Sequence, residues 1–109
     1  MKFPVVHLPF LPAAGMAVFP FIFIKYNSLK KDKQIINHEL IHLRQQIELL
    51  VLPFYIIYFF HYLLNILRYK NHNRAYRNII FEKEAYDHDS DLVYLKTRKL
   101  FSWMKYINP

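Results

Sequence analysis

The sequence predicts a single, mainly α-helical domain with a short β element, which is an α+β fold. A chain of 109 residues has enough material for one core, so we expect one domain over residues 1–109. Its hydrophobic fraction of 54%, with ten Phe and nine Tyr, predicts a folded chain rather than a disordered one. Apolar residues recur every three or four positions after residue 33, which is a helical period, whereas prolines interrupt the apolar run before residue 26.

The apolar region 1–26 predicts the β element. From Met16 to Tyr26 the chain is rich in residues that strands favour, and Gly15 precedes this stretch as a turn residue would. Pro20 cannot donate to a strand ladder, so we expect an edge strand or a strand with a bulge. A cleavable signal peptide is disfavoured, because Lys2 is the sole basic residue before an apolar run that prolines interrupt.

Helical periodicity predicts three helices in the rest of the chain. The first covers 33–52 and carries its apolar residues on one face. Pro53 ends or kinks this helix, and a very apolar second helix follows over 53–69. After a polar and basic connection, apolar positions at helical spacing predict a long C-terminal helix over 79–106.

The stretch HELIH at residues 38–42 of the first helix predicts a metal site. His38 and His42 lie one helical turn apart, so both rings can reach one ion, and Glu39 projects beside them as a catalytic base. The chain has no cysteine, so a metal must be held by His, Asp or Glu, and we expect Zn²⁺. The alternative is a histidine-containing helix that carries a glutamate by chance.

A catalytic zinc site takes three protein ligands, so a third ligand must come from elsewhere in the chain. The densest acidic cluster is FEKEAYDHD, and helical periodicity places Glu84 nearer the inward face of its helix than Glu82, which leaves both as candidates. Tyr86 and His88 are further candidates, either as an alternative ligand or as groups that support one. The remaining downstream residues with suitable side chains are His61, His72, Asp87, Asp89 and Asp91.

The two motifs together resemble those of the zincins, and in particular the gluzincin-type membrane metalloproteases such as the CaaX prenyl proteases. Their first motif is HExxH, and their second has the form FExxAD, which residues 81–86 match as FEKEAY. The resemblance implies a minimal zincin-like fold, zinc as cofactor, a peptide or protein substrate and Glu82 as the third ligand. Tyr86 stands where that family has an aspartate that supports a ligand histidine, and Glu84, Tyr86 or Asp89 are candidates to replace it.

The chain is also similar over most of its length to a group of small uncharacterised bacterial proteins with the motifs HExIHxxQQ and FExEAY. Here these motifs are residues 38–46 and 81–86, and the strand motif FPFIFIK is residues 19–25. The likeness implies a zincin-like fold without an established substrate. In zincins the edge strand beside the active helix pairs with the peptide backbone, and the resemblance gives that role to Met16–Tyr26.

The segment Leu49–Leu67 is about as long as the 20 apolar residues that a membrane span needs. One crossing there would separate His42 from Glu82 by a hydrocarbon layer of about 30 Å, so the segment is a core helix, an interfacial helix or a re-entrant one. A net charge of +7 favours an anionic membrane surface as partner, on the cytoplasmic side, with a soluble cytoplasmic protein as the alternative. No nucleic-acid-binding motif accompanies the basic residues, so nucleic acid is not expected as a partner.

These observations predict a zinc-dependent metallopeptidase that hydrolyses peptide bonds. In this hypothesis His38, His42 and Glu82 hold the metal and Glu39 moves the proton. The alternative hypothesis is a catalytically inactive zincin-like module, associated with a membrane or a partner protein, in which zinc is structural.

Overall fold

A computed structural model describes residues 3–107 and confirms a mainly α fold with a short β element. Two short 3₁₀ helices, Asn27–Lys31 and Ser102–Tyr106, accompany the regular elements. The strands are β1 (Val5–His7), β2 (Gly15–Val18) and β3 (Phe21–Ile24), and the helices are α1 (Lys33–Glu48), α2 (Leu52–Tyr69), α3 (His72–Arg77), α4 (Ile80–His88) and α5 (Tyr94–Thr97).

The β element is a small sheet with the strand order β1-β3-β2. β1 and β3 are parallel, and β2 pairs antiparallel with β3 in a register that places Ala17 opposite Ile22. The prediction of one continuous strand over Met16–Tyr26 is therefore wrong. The chain turns at Phe19 and Pro20 between β2 and β3, and Pro20 therefore lies where no ladder donor is required.

α1 begins at a side-chain cap and ends at a sharp corner. The Asp32 carboxylate accepts hydrogen bonds from the backbone N–H groups of Gln34 and Ile35, as a helix N-cap does. After Glu48 the residues Leu50 and Val51 both adopt positive φ, and α2 starts directly behind them. α1 and α2 are bent by 113° relative to each other. Pro53 lies in the first turn of α2, where its missing N–H costs nothing.

The predicted C-terminal helix over 79–106 is also wrong, because the chain turns after α4. The Asn37 side chain of α1 donates to the backbone carbonyls of Asp89 (2.9 Å) and Asp91 (3.0 Å). These carbonyls therefore bind a side chain instead of the backbone N–H groups that would continue α4. α5 and the 3₁₀ helix Ser102–Tyr106 form the remainder. The polar connection before α4 contains α3, which is capped by Asn71.

α1 lies between the two parts of the core. On one side Leu43 packs with Ile22 and Ile24 of the sheet. The second cluster joins Phe54 of α2 to Phe81 of α4, with Trp103 beside Phe81. Within residues 3–107 no single helix has the length and apolarity of a bilayer span, although α1 and α2 taken together as a bent pair do.

A buried ion cluster ties the C-terminal segment to this core. Arg98 contacts the carboxylates of Glu84 (2.6 Å) and Glu48 (2.7 Å), and all three side chains are at most 2% exposed. Burial alone would raise the pKa of Glu84, but hydrogen bonds from Arg98, Tyr94 and Gln45 hold it below its ordinary value.

Arg98→Met is expected to lower the free energy of unfolding at neutral pH by about 3–5 kcal/mol, because it leaves two buried carboxylates without their cation. Urea denaturation measures this loss, and Lys99→Met, at an exposed neighbouring position, is the matched control. The Glu84 pKa is lowered in the folded protein, so its contribution is present above the ordinary value of 4.5 and disappears as the pH falls through the folded pKa. Equal stability of the two variants would contradict this role for Arg98.

Candidate metal centre

α1 and α4 bring three potential metal ligands together at one point. The Oε1 atom of Glu82 lies 3.0 Å from Nε2 of His38 and 3.0 Å from Nε2 of His42. One ligand atom from each residue lies within 4.8 Å of the other two, and all three residues are buried. The spacing of HELIH explains why both histidine side chains reach the same point, since residues four apart share a helix face. This group could hold a metal ion.

The chemistry of the cluster fits a metal better than a set of hydrogen bonds. His42 Nε2 is buried and makes no hydrogen bond although Glu82 Oε1 is 3.0 Å away. A buried polar atom without a partner costs about 1–3 kcal/mol. In a tetrahedral site with bonds of about 2.0–2.1 Å, ligand atoms lie about 3.3 Å apart, close to the separations found here. A metal ion would satisfy His42 Nε2.

The other ring nitrogen of His38 is held by α4. His38 Nδ1 lies 3.0 Å from Oδ2 of Asp89, a buried carboxylate that accepts from an N–H group. With its proton on Nδ1, a neutral His38 directs the lone pair of Nε2 toward the cluster, which is how metal-binding histidines are usually oriented. Of the three candidates for supporting a histidine, which are Glu84, Tyr86 and Asp89, Asp89 is the one whose carboxylate contacts His38 Nδ1.

Gln45 orients His42 in the same way. Its Nε2 donates to the Phe81 carbonyl (3.1 Å) and to Glu84 Oε1 (2.9 Å), so its Oε1 faces His42 Nδ1 at 2.8 Å and accepts that proton. Its place three residues after His42 puts the two side chains on one helix face, and its amide bonds across to α4. Glu84 is therefore two contacts away from the cluster.

The second oxygen of Glu82 is bound by α2. The hydroxyl group of Tyr58 donates to Glu82 Oε2 at 2.5 Å. Burial raises the pKa of Tyr58 above its ordinary value, and the charge of Glu82 adds to this, so the hydroxyl keeps its proton. Nothing in the sequence distinguishes Tyr58 from the other eight tyrosines.

The charges within the cluster reinforce each other in the absence of a metal. Burial opposes the charged form of Glu82, but the two histidines hold its pKa below the ordinary range. Burial also opposes protonation of His42, yet the neighbouring Glu82 carboxylate raises the pKa of His42 to about 9. A metal ion and a proton would therefore compete for this ring.

Glu39 lies beside the cluster without belonging to it. Its side chain is buried, and burial raises the pKa of its carboxyl group. Within residues 3–107 no hydrogen bond acts on this carboxyl group. A Cβ atom at Gly15 would come within 3.0 Å of Glu39 Oε2, so the strand β2 approaches the carboxylate closely because residue 15 has no side chain.

Two cavities meet at Glu39. The larger one has a volume of about 600 Å³. It is bounded by Pro12–Gly15, which lead into β2, by the first residues of α1 and by Tyr76 of α3. The smaller one, about 200 Å³, extends past Met16 to Phe54 and Tyr55 and is mainly apolar. A substrate in these cavities would have access to Glu39 and to the three ligands.

The other candidates from the sequence lie outside the cluster. Glu84 is bound by Arg98 and Gln45. The Tyr86 ring packs at 4.5 Å from the His38 ring, and its hydroxyl donates to Tyr76. His88 stacks on Tyr94. The remaining downstream candidates have partners outside the cluster. His61 accepts from the backbone of Ile80, and His72 contacts Tyr62. Asp87 accepts from Tyr106, and Asp91 accepts from the backbone of Val93.

The two sequence motifs, HELIH at 38–42 and FEKEAY at 81–86, thus meet at the three-ligand cluster. Comparison of the chain with protein-family models, with curated proteins and with solved structures finds no match.

Proposed function

We propose that this protein is a zinc-dependent hydrolase that cleaves peptide bonds. One observation carries the proposal: Glu39, a buried carboxyl group with a raised pKa and no hydrogen-bond partner in residues 3–107, faces two cavities beside the three-ligand cluster. Buried carboxyl groups are normally paired, and one that faces open space is available for a proton transfer.

Zinc fits the donor set of two imidazoles and one carboxylate. Held by His38, His42 and Glu82, Zn²⁺ would supply Lewis acidity, which polarises a substrate carbonyl and lowers the pKa of water. Structural zinc sites are closed by four protein ligands, whereas the described residues contribute three. This difference favours catalysis over the alternative of a structural zinc.

Glu39 is the group that would move the proton in such a reaction. Its carboxylate can accept a proton from the attacking water and pass it to the leaving amine. Burial raises its pKa and so brings its proton affinity closer to neutral pH, where a general base is most effective. Tyr58, Asp89 and Gln45 hold the ligands in place while the proton moves.

The Gly15 end of the edge strand β2 supports an extended peptide as the substrate. β2 is an edge strand, and its Ala17 carbonyl is already bound by the side chains of Gln46 (2.8 Å) and Tyr55 (2.6 Å). Nearer to Glu39, the edge at Gly15 borders the cavities. A peptide that added a strand at Gly15 would bring its backbone next to the Glu39 carboxylate.

The test is cleavage of a fluorogenic peptide library by the zinc-loaded protein. We expect cleavage that a chelator stops and added zinc restores. Gly15→Ala is expected to lower kcat/KM by up to about tenfold, because the new methyl group would lie 3.0 Å from Glu39 Oε2 and push the carboxylate slightly out of position. Ser28→Ala, at an exposed position outside both cavities, is the control and should cleave like the wild type.

Zinc content is measured alongside the rates, and Gly15→Ala should bind as much zinc as the wild type. A zinc-loaded protein that cleaves no peptide of the library would contradict the proposed function. Cleavage that continues in excess chelator would contradict the role of the metal.

A further inference from the structure

α2 presents a continuous apolar surface to the outside of the protein. Positions 56 to 67 recur at steps of three and four and lie along one side of the helix. Exposure reaches 64% for Leu64 and 74% for Leu67. We refer to the exposed apolar residues of this side as the outer face, which consists of Ile56, Phe59, Phe60, Leu63, Leu64 and Leu67.

The polar side chains of α2 point in the opposite direction, into the protein. Asn65 is buried and donates to the Ala75 carbonyl at 3.0 Å, and His61 Nδ1 accepts from the Ile80 backbone at 3.2 Å. A helix on the surface of a soluble protein shows the reverse arrangement, with apolar residues inside. The outer face of α2 is therefore built for an apolar environment.

Further exposed apolar side chains lie near the corner that precedes α2. Leu50, at the corner between α1 and α2, is 79% exposed. The Phe101 N–H group donates to the Glu48 carboxylate at 2.8 Å, so the C-terminal segment lies next to this corner. Leu100 and Met104 of that segment are also exposed. Exposed apolar side chains grouped on one face are a feature of protein or membrane interaction sites.

The charges around this surface favour an anionic partner. Arg68 and Lys70 stand at the end of α2, and Lys99 and Lys105 flank the exposed residues of the C-terminal segment. In the described part of the chain, Arg98 is the one Lys or Arg that forms a salt bridge, so these four cations are uncompensated. A second copy of the protein would add like charges, whereas an anionic lipid surface would neutralise them.

We propose that the outer face docks onto an anionic phospholipid membrane, with α2 lying along the surface. α2 carries one charged residue, Arg68, in its last turn, so its length can sit at the level where headgroups meet acyl chains. Tyr58, on the inner side of α2, contacts Glu82. The candidate metal centre would then stand about one helix diameter, ~10 Å, above the docking surface.

The experiment is flotation with two kinds of vesicles, phosphatidylcholine mixed with phosphatidylglycerol, and phosphatidylcholine alone. We expect the wild type to float with the mixed vesicles and more weakly with the neutral ones. Phe60→Gln with Leu64→Gln should weaken binding to mixed vesicles by roughly tenfold or more, because two exposed apolar side chains are replaced. The matched control, Phe10→Gln with Leu92→Gln, changes equally apolar exposed residues outside this surface and should bind like the wild type.

Three results would overturn the proposal. The first is a wild type that floats with neither vesicle or equally with both, and the second is equal binding by the outer-face variant and its control. The third is a dimer, seen by analytical ultracentrifugation without vesicles, that the outer-face variant dissociates, since a second copy would then cover the face. The outer-face variant keeps His38, His42 and Glu82, so its zinc content should stay at the wild-type value whichever result is found.

Discussion

Glu39→Gln is expected to lower kcat of peptide hydrolysis by roughly 10²- to 10⁴-fold while zinc binding stays at the wild-type level. The amide has the shape of the carboxyl group, so it fits between α1 and Gly15, but it cannot accept a proton. Glu39 is not among the three ligands, which is why the metal should remain. Steady-state kinetics of the zinc-loaded variant, together with metal analysis of the same sample, measures both effects.

The matched control is Asp87→Asn, which removes one negative charge from an exposed position of α4. This variant should cleave at the wild-type rate. Loss of activity in both variants would trace the effect to charge in general, and an active Glu39→Gln protein would contradict the role of Glu39 as the base. A Glu39→Gln protein without zinc would show instead that Glu39 supports the metal.

The sequence predicts the centre of the site because the relevant information is local. A step of four residues on a helix places His38 and His42 on one face, whatever the rest of the fold, and in the structure both Nε2 atoms lie 3.0 Å from Glu82. The apolar period likewise predicts α1 and α2, although α1 ends at Glu48 and not at the predicted residue 52, because the chain turns at Leu50 and Val51 before Pro53. Contacts within one or two turns are sufficient for these features.

The choice between Glu82 and Glu84 could not be made from periodicity, which favoured Glu84. A helix buried on two sides has no single inward direction, and α4 is such a helix, because both glutamates are at most 3% exposed. Glu82 faces the histidines, while Glu84 faces Arg98, which returns from a distant part of the chain. The motif resemblance favoured Glu82, and the geometry agrees with it.

The two errors in secondary structure have the same kind of cause. The apolar period continues beyond His88, but Asn37 binds the carbonyls that follow and α4 ends there. The strand-forming residues run through Pro20, but the chain reverses at that proline and forms two strands. In both places a turn overrides the local pattern of apolar residues. The first turn depends on a contact with the distant residue Asn37, and the second on the backbone at Pro20.

Removal of the two histidines should have the largest effect on the metal. At a zinc concentration about 1,000 times Kd, binding to the wild type should stabilise the fold by about 4 kcal/mol. In a domain of this size that raises Tm by more than about 10 °C. His38→Ala with His42→Ala should abolish the shift, whereas the control His7→Ala with His72→Ala changes histidines outside the cluster and should keep it. Thermal unfolding with and without zinc measures this, and equal shifts would disprove the ligand assignment.

Zinc binding to this cluster should become stronger as the pH rises. The carboxylate of Glu82 raises the pKa of His42 to about 9, so at neutral pH the metal-free ring carries a proton that zinc has to displace. Zinc affinity should therefore rise as the pH increases toward 9, by up to about tenfold per pH unit for this one proton. Calorimetric titration in buffers of different ionisation enthalpy counts the protons released. An affinity that stays constant over this range would contradict the raised pKa of His42 in the metal-free protein.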